Sequence, residues 1–105
     1  MRRTIGEIAT FVTSKNAGPF LLTLDVVFPD EPTYRRFKAL RALDRATVAR
    51  LYAIKEDDVL KIIEFDPAYA MKVTLRRPWG SGAVGERDVY GAQQHVPLMQ
   101  HAVEW

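Results

Sequence analysis

The sequence predicts an α+β sandwich, with helices on one face of a mostly antiparallel sheet. Three observations carry the prediction: strict two-residue alternation from Phe20 to Phe28, helical spacing behind the candidate caps Asp30 and Asp44, and a β-branched, apolar run from Asp58 to Phe65. Strands and helices in this irregular succession pack as a sheet with helices segregated to one side. The order strand, helices, strand, strand and helix, final strand is nearest to the ferredoxin-like β-α-β-β-α-β arrangement. A chain of 105 residues fits one domain spanning 1–105, and 48% hydrophobic residues suffice for a core without covalent staples.

Thr4-Ile5-Gly6-Glu7 has the form of a capping box, with Ile5, Ile8, Ala9 and Val12 at helical spacing. It predicts a short helix running to about Val12. Ser14 to Pro19 reads as a loop, because Asn16, Gly18 and Pro19 each favour turn geometry. In the strand that follows, Phe20, Leu22, Leu24, Val26 and Phe28 share the core face, which leaves Asp25 on the other. Pro29 ends it. Tyr34, Phe37 and Leu40 predict a helix from about Glu31 to Ala42, and Asp44 caps a second with Val48, Leu51 and Tyr52 at core spacing. Asp58 to Phe65 is the next strand. Residues 67–77 fit two patterns: Asp66-Pro67 opens a helix, whereas Tyr69, Met71, Val73 and Leu75 alternate as a strand. A helical turn running into an extended segment reconciles them. Trp79 to Gly85 reads as a loop and Arg87 to Tyr90 as a short strand. A short helix near Gln93 and a strand from about Met99 to Trp105 follow.

Composition narrows the function classes. The chain has no cysteine, which excludes disulfides, thiolate catalysis and cysteine-ligated metals. Met1-Arg2-Arg3-Thr4 is not followed by the apolar run of a secretory signal, and no stretch reaches membrane-spanning length. A cytoplasmic location with no membrane association is expected. The net charge of +2 is too diffuse for a nucleic-acid footprint, and no aromatic RNA-binding signature accompanies it.

The polar segment Gly91-Ala92-Gln93-Gln94-His95-Val96-Pro97-Leu98 follows Arg87-Asp88 and sits where the backbone must turn. Buried polar groups need partners, so it is either a satisfied corner or part of a binding site. With Lys15 and Asn16 in the first glycine-proline loop and Ser81, Arg87, Asp88, Gln93, Gln94 and His95 after the second, the two loops form a candidate site for a small anionic ligand. His95 is the candidate acid–base residue, with Asp88 or Asp25 to orient it. No nucleophile stands beside it. His95, His101 and Asp88 lack a zinc spacing, so no metal is expected. Gly80 to Gly85 matches a dinucleotide-binding string without the flanking strand and helix, so no cofactor is expected either.

Several pieces resemble the AtuA-like ferredoxin-fold domain family, whose small stand-alone members are related to a domain fused to acyclic terpene utilisation proteins. They are Ser14-Lys15-Asn16-Ala17-Gly18-Pro19-Phe20, Leu22-Thr23-Leu24-Asp25, Phe65-Asp66-Pro67-Ala68 with Lys72, Ser81-Gly82, and Asp88 to Leu98. The resemblance extends over nearly the whole chain. It departs from the fused domain in the first loop, where Ser14 and Lys15 are adjacent with no aspartate between them. The resemblance implies a ferredoxin-like fold, a link to catabolism of branched or terpenoid acids, and a larger AtuA-type partner; it implies no particular reaction. Three functional expectations follow: an accessory module binding a small anion beside that partner, a small acid–base enzyme with His95 as proton shuttle, or a homo-oligomerisation module.

Overall fold

The structure is a computed structural model that describes residues 1–18, 20–76 and 94–105. Its elements are β1 (Arg2–Thr4), α1 (Ile5–Ile8), β2 (Phe11–Gly18), β3 (Leu21–Val27), α2 (Glu31–Leu40), α3 (Arg45–Leu51), β4 (Val59–Phe65), β5 (Ala70–Arg76), α4 (Val96–Met99) and β6 (Ala102–Glu104). Short 3₁₀ turns at Glu56–Asp58 and Asp66–Ala68 precede β4 and β5. The α+β class is as expected.

The starts of the first three helices follow from local chemistry. Thr4 and Glu7 close a capping box, Glu7 N donating to Thr4 Oγ1 at 3.2 Å and Thr4 N to Glu7 Oε1 at 2.9 Å. Asp30 Oδ1 accepts from Thr33 N at 2.9 Å, and Asp44 Oδ1 from Thr47 N at 2.8 Å. These carboxylates, like Glu7, are held below their ordinary pKa by the bonds they accept.

The main sheet runs β2-β3-β5-β4, every neighbouring pair antiparallel. In a β-α-β-β-α-β sheet the fourth strand flanks the first, the third lies on the first strand's other side, and the second forms the far edge. Here β3, β4 and β5 play first, second and third, with α2 and α3 as the crossover. The fourth position is filled by β2, which precedes β3 in sequence. The expected closing strand, β6, instead pairs antiparallel with β1 in a separate two-stranded sheet. That ribbon joins the chain ends: Trp105 N donates to Met1 O at 2.7 Å. The sheet order is thus the expected one, with the chain opened at a different point.

The first helix ends four residues earlier than expected, and Val12 belongs to β2. The run Thr10 to Thr13 is rich in aromatic and β-branched residues, and β3 offers it a ladder to complete. The same pairing overturns the loop reading of Ser14 to Gly18, which is strand, with a register shift between Asn16 and Gly18 absorbing the turn residues. Phe20, expected on the core face, lies in the turn and is 54% exposed. Residues 67–76 resolve as the turn-then-strand form, with Tyr69 left-handed (φ 51°) and its carbonyl accepting from Phe28 N at 2.9 Å. The expected loop from Trp79 to Gly85 and strand from Arg87 to Tyr90 lie outside the described residues.

The core fills the space between one sheet face and the helices. Leu22, Leu24, Val26, Val73 and Leu75 point into it from the sheet; Tyr34, Phe37, Val48 and Leu98 meet them from α2, α3 and α4. Phe28 closes one end, its ring 4.9 Å from Phe37 and 5.9 Å from Tyr34. The helix layer is tightest where α1 crosses α4. A Cβ at Gly6 would lie 2.5 Å from Met99 Cγ and 3.2 Å from Met99 O. Gly6→Ala is therefore expected to lower stability by about 1–3 kcal/mol, read by chemical denaturation. An unchanged midpoint would contradict this packing.

Candidate functional site

In an antiparallel ladder, residues directly opposite share a face. The buried residues of β3 therefore sort every side chain of the sheet. Asn16 lies opposite Leu22 and Ser14 opposite Leu24, so both belong to the helix side. Lys15 lies opposite Thr23, and Thr13 opposite Asp25, so these belong to the outer side. Lys15 and Asn16, expected together in one loop, are consecutive strand residues on opposite faces.

The outer face is organised in rows. One runs Lys15, Thr23, Thr74, Lys61; the next Thr13, Asp25, Lys72, Ile63; the third Phe11, Val27, Ala70, Phe65. A register shift between Val59 and Lys61 puts Lys61 outward although Val59 points into the core. At one end Arg76 lies opposite Leu21 and reaches Asp58 at 3.9 Å. At the other end the apolar row is open: Phe11 is 50% exposed, Phe65 44%, and neighbouring Ile63 44%. The face thus grades from cations and hydroxyls at one end to exposed aromatic and aliphatic side chains at the other.

Asp25 stands in the middle. Lys72 Nζ is 3.6 Å from its Oδ1, an ion pair too long for a hydrogen bond, and that oxygen is buried without a hydrogen-bond partner among the described residues. Half-exposed pairs of this kind contribute about 0–1 kcal/mol. Lys72 Nζ also lies 5.9 Å from the centre of the Phe65 ring, within cation–π range.

Gln94 and His95 lie elsewhere. They lead into α4, which packs against α1 and α3 and sends Leu98 into the core. Gln94 O accepts from Tyr52 Oη at 2.6 Å, and His95 O accepts from Met99 N at 2.9 Å. Burial pushes the Tyr52 phenol well above its ordinary value, so it stays a neutral donor. The sheet separates Lys15 and Asp25 from the backbone at Gln94 and His95. Ser81, Arg87, Asp88 and Gln93 lie outside the described residues.

A second polar cluster occupies a cleft of about 570 Å³ lined by α2 and the β4–β5 turn. Tyr34 Oη donates to Asp66 Oδ1 at 2.6 Å, and Lys38 Nζ reaches the same oxygen at 3.1 Å. Lys38 also sits 4.6 Å from the Tyr34 ring centre. Burial, then the Asp66 carboxylate, raises the Tyr34 phenol far above its usual range; the Tyr34 bond in turn depresses Asp66. The cluster ties α2 to the turn. Among the described residues, no group of three or more histidine and acidic side chains is placed to hold a metal ion, and no helix is long and apolar enough to cross a membrane.

Of the outer-face residues, only Lys15 and Asp25 are among the candidate site residues that the sequence singles out. The signal for the others was the odd-numbered alternation Lys61-Ile63-Phe65 and the even-numbered alternation Lys72-Thr74-Arg76, facing the same way as Thr23 and Asp25.

Residues 5–102 match DUF4387, a domain family of unknown function. The chain belongs to that family. No curated protein and no solved structure matches it. The DUF4387 match begins at the first residue of α1 and ends at the first residue of β6, so it contains the whole four-stranded sheet and its outer face.

The same DUF4387 span ends beside His101, which falls within the closing strand expected from about Met99 to Trp105. It is instead a half-buried residue just before β6, outside any strand, its carbonyl accepting from Ile5 N at 2.9 Å. Burial, then the charges of Arg50 and Arg2, lower its pKa below 6.5. Folding therefore disfavours the protonated ring. This contribution to stability is complete above the unfolded value and is lost as pH falls from 6.5 through the lowered folded value. His101→Gln is expected to flatten the stability–pH curve across that window, followed by denaturant titration; a wild-type slope in the variant would contradict the assignment.

Proposed function

We propose that the chain is an accessory module of a larger AtuA-type metabolic protein in the catabolism of branched or terpenoid acids, and that it contributes a binding surface for a small anionic ligand. The AtuA-type partner comes from the resemblance of the glycine-proline and Gln-Gln-His segments. The anion comes from one observation: the outer row that sets Lys15 and Lys61 at the sheet's edges with Thr23 and Thr74 between them.

Adjacent strands lie about 4.8 Å apart, so the two lysine Cα atoms are about 14 Å apart. Their flexible stems are long enough to reach inward over the two hydroxyls of Thr23 and Thr74. A carboxylate or phosphate fits that set. Lys72 is engaged with Asp25 one row away, which leaves Lys15 and Lys61 as the principal attractors.

Magnitudes argue for an accessory role. A unit charge 4 Å from an anion in water contributes about 1 kcal/mol, and physiological salt screens over about 8 Å. A few such contacts reach only about 4 kcal/mol, which is millimolar affinity. Covering the face with another protein excludes water and strengthens each contact several-fold. The module supplies charge and the partner supplies enclosure. The acid–base reading, in which Lys15 holds a substrate for His95, draws no support from groups on opposite sides of the sheet.

NMR titration of the isolated chain with isovalerate is expected to move the amides of Lys15, Thr23, Lys61 and Thr74 with a millimolar midpoint, and Lys15→Glu/Lys61→Glu should remove the response. Shifts confined to the α4 end would contradict the site. Size-exclusion chromatography with an AtuA-type protein at micromolar concentration is expected to show co-elution; separate elution would refute the accessory role.

A further inference from the structure

The outer sheet face carries more than an anion site. An antiparallel sheet face meant only for water carries polar side chains at its outward positions. Here Phe11, Ile63 and Phe65 occupy outward positions at 50%, 44% and 44% exposure. Phe11 and Phe65, on the two edge strands, lie about 14 Å along the strands from the Lys15–Lys61 row, and Ile63 about 7 Å from it. Contiguous exposed apolar side chains bordered by charge mark an interaction surface.

We infer that this face is the docking surface for the larger partner, and that the matching surface is acidic around Arg76, offers aliphatic side chains to Phe11, Ile63 and Phe65, and closes over the anion held by Lys15 and Lys61. The inference rests on the accessory reading and adds which side of the chain is covered and by what chemistry.

Charge selects the occupant. The face carries Lys15, Lys61, Lys72 and Arg76 against Asp25 and, at the rim, Asp58. A second copy laid face to face would set cation against cation within a screening length of about 8 Å. An acidic partner meets complementary charge instead. Single-stranded RNA fits less well: the central strands offer Thr23, Asp25, Lys72 and Thr74 rather than aromatic rings for base stacking, and Asp25 would face phosphate. Four strands and seven residues span about 19 by 24 Å. With side-chain relief, that footprint is of the same order as the roughly 800 Å² per partner of a standard interface.

The test is binding of the AtuA-type protein by interferometry, with circular dichroism and melting curves confirming that each variant is folded. Phe11→Glu/Ile63→Glu and, separately, Lys15→Glu/Lys61→Glu are expected to weaken binding at least tenfold. Arg45→Glu, at an exposed position of α3 on the helix side, is expected to bind as the wild type. Folded face variants with wild-type affinity would overturn the docking surface and leave the accessory role standing. No binding by the wild type would overturn the accessory role itself. A wild-type dimer dissociated by the face variants, or RNA capture lost in them, would overturn the acidic partner as occupant.

Discussion

The two-residue period of the antiparallel ladder is the constraint on which the rest depends. Leu22, Leu24 and Val26 are buried against the helices, as are Val73 and Leu75 on the neighbouring strand. Burying each such side chain contributes about 1.5–3 kcal/mol, so no slip of register is tolerable. Everything between them must then face outward. Thr23, Asp25, Lys72 and Thr74 are held in a fixed array by the core on the other side of the backbone. The rigidity of the candidate surface is a consequence of packing to which its own residues contribute little.

The polar chemistry divides along the same boundary. On the helix side and at the hairpin end, groups are committed to structure. Thr4, Asp30 and Asp44 close helix starts, Asp66 gathers Tyr34 and Lys38, and Tyr52 caps the carbonyl of Gln94. Each gives a backbone or side-chain group at a helix start or turn a defined partner. On the outer face the ion pairs are longer, at 3.6 and 3.9 Å. Surface pairs at such distances barely stabilise a fold. The four cations of this face therefore add little to the stability of the fold.

Much of the fold was legible because it is local. Capping at Thr4, Asp30 and Asp44 and alternation through β3 are written in a few consecutive residues. What was not legible was long-range. Ser14 to Gly18 carries turn-forming residues and becomes an edge strand because β3 offers it a ladder. Arg2 to Thr4 pairs with β6 at the far end of the chain, which no local pattern announces. The site suffered in the same way. Lys15 and Asn16 look like neighbours in a loop, yet a strand turns them to opposite faces. Lys61 joins Lys15 across two intervening strands, and a bulge reverses the face that simple alternation from Val59 would give it. Asp25 was placed off the core correctly because its own strand sufficed.

The central claim is that the outer sheet face is the working surface, and the lysines allow a direct measurement. Lys15, Lys61 and Lys72 project from that face, whereas Lys38 lies against Tyr34 and exposed Lys55 precedes the turn before β4. Amine-reactive labelling, quantified by mass spectrometry with and without the AtuA-type protein, should show Lys15, Lys61 and Lys72 protected and Lys38 and Lys55 unchanged. Protection of Lys38 or Lys55 with the three sheet lysines still reactive would contradict the account.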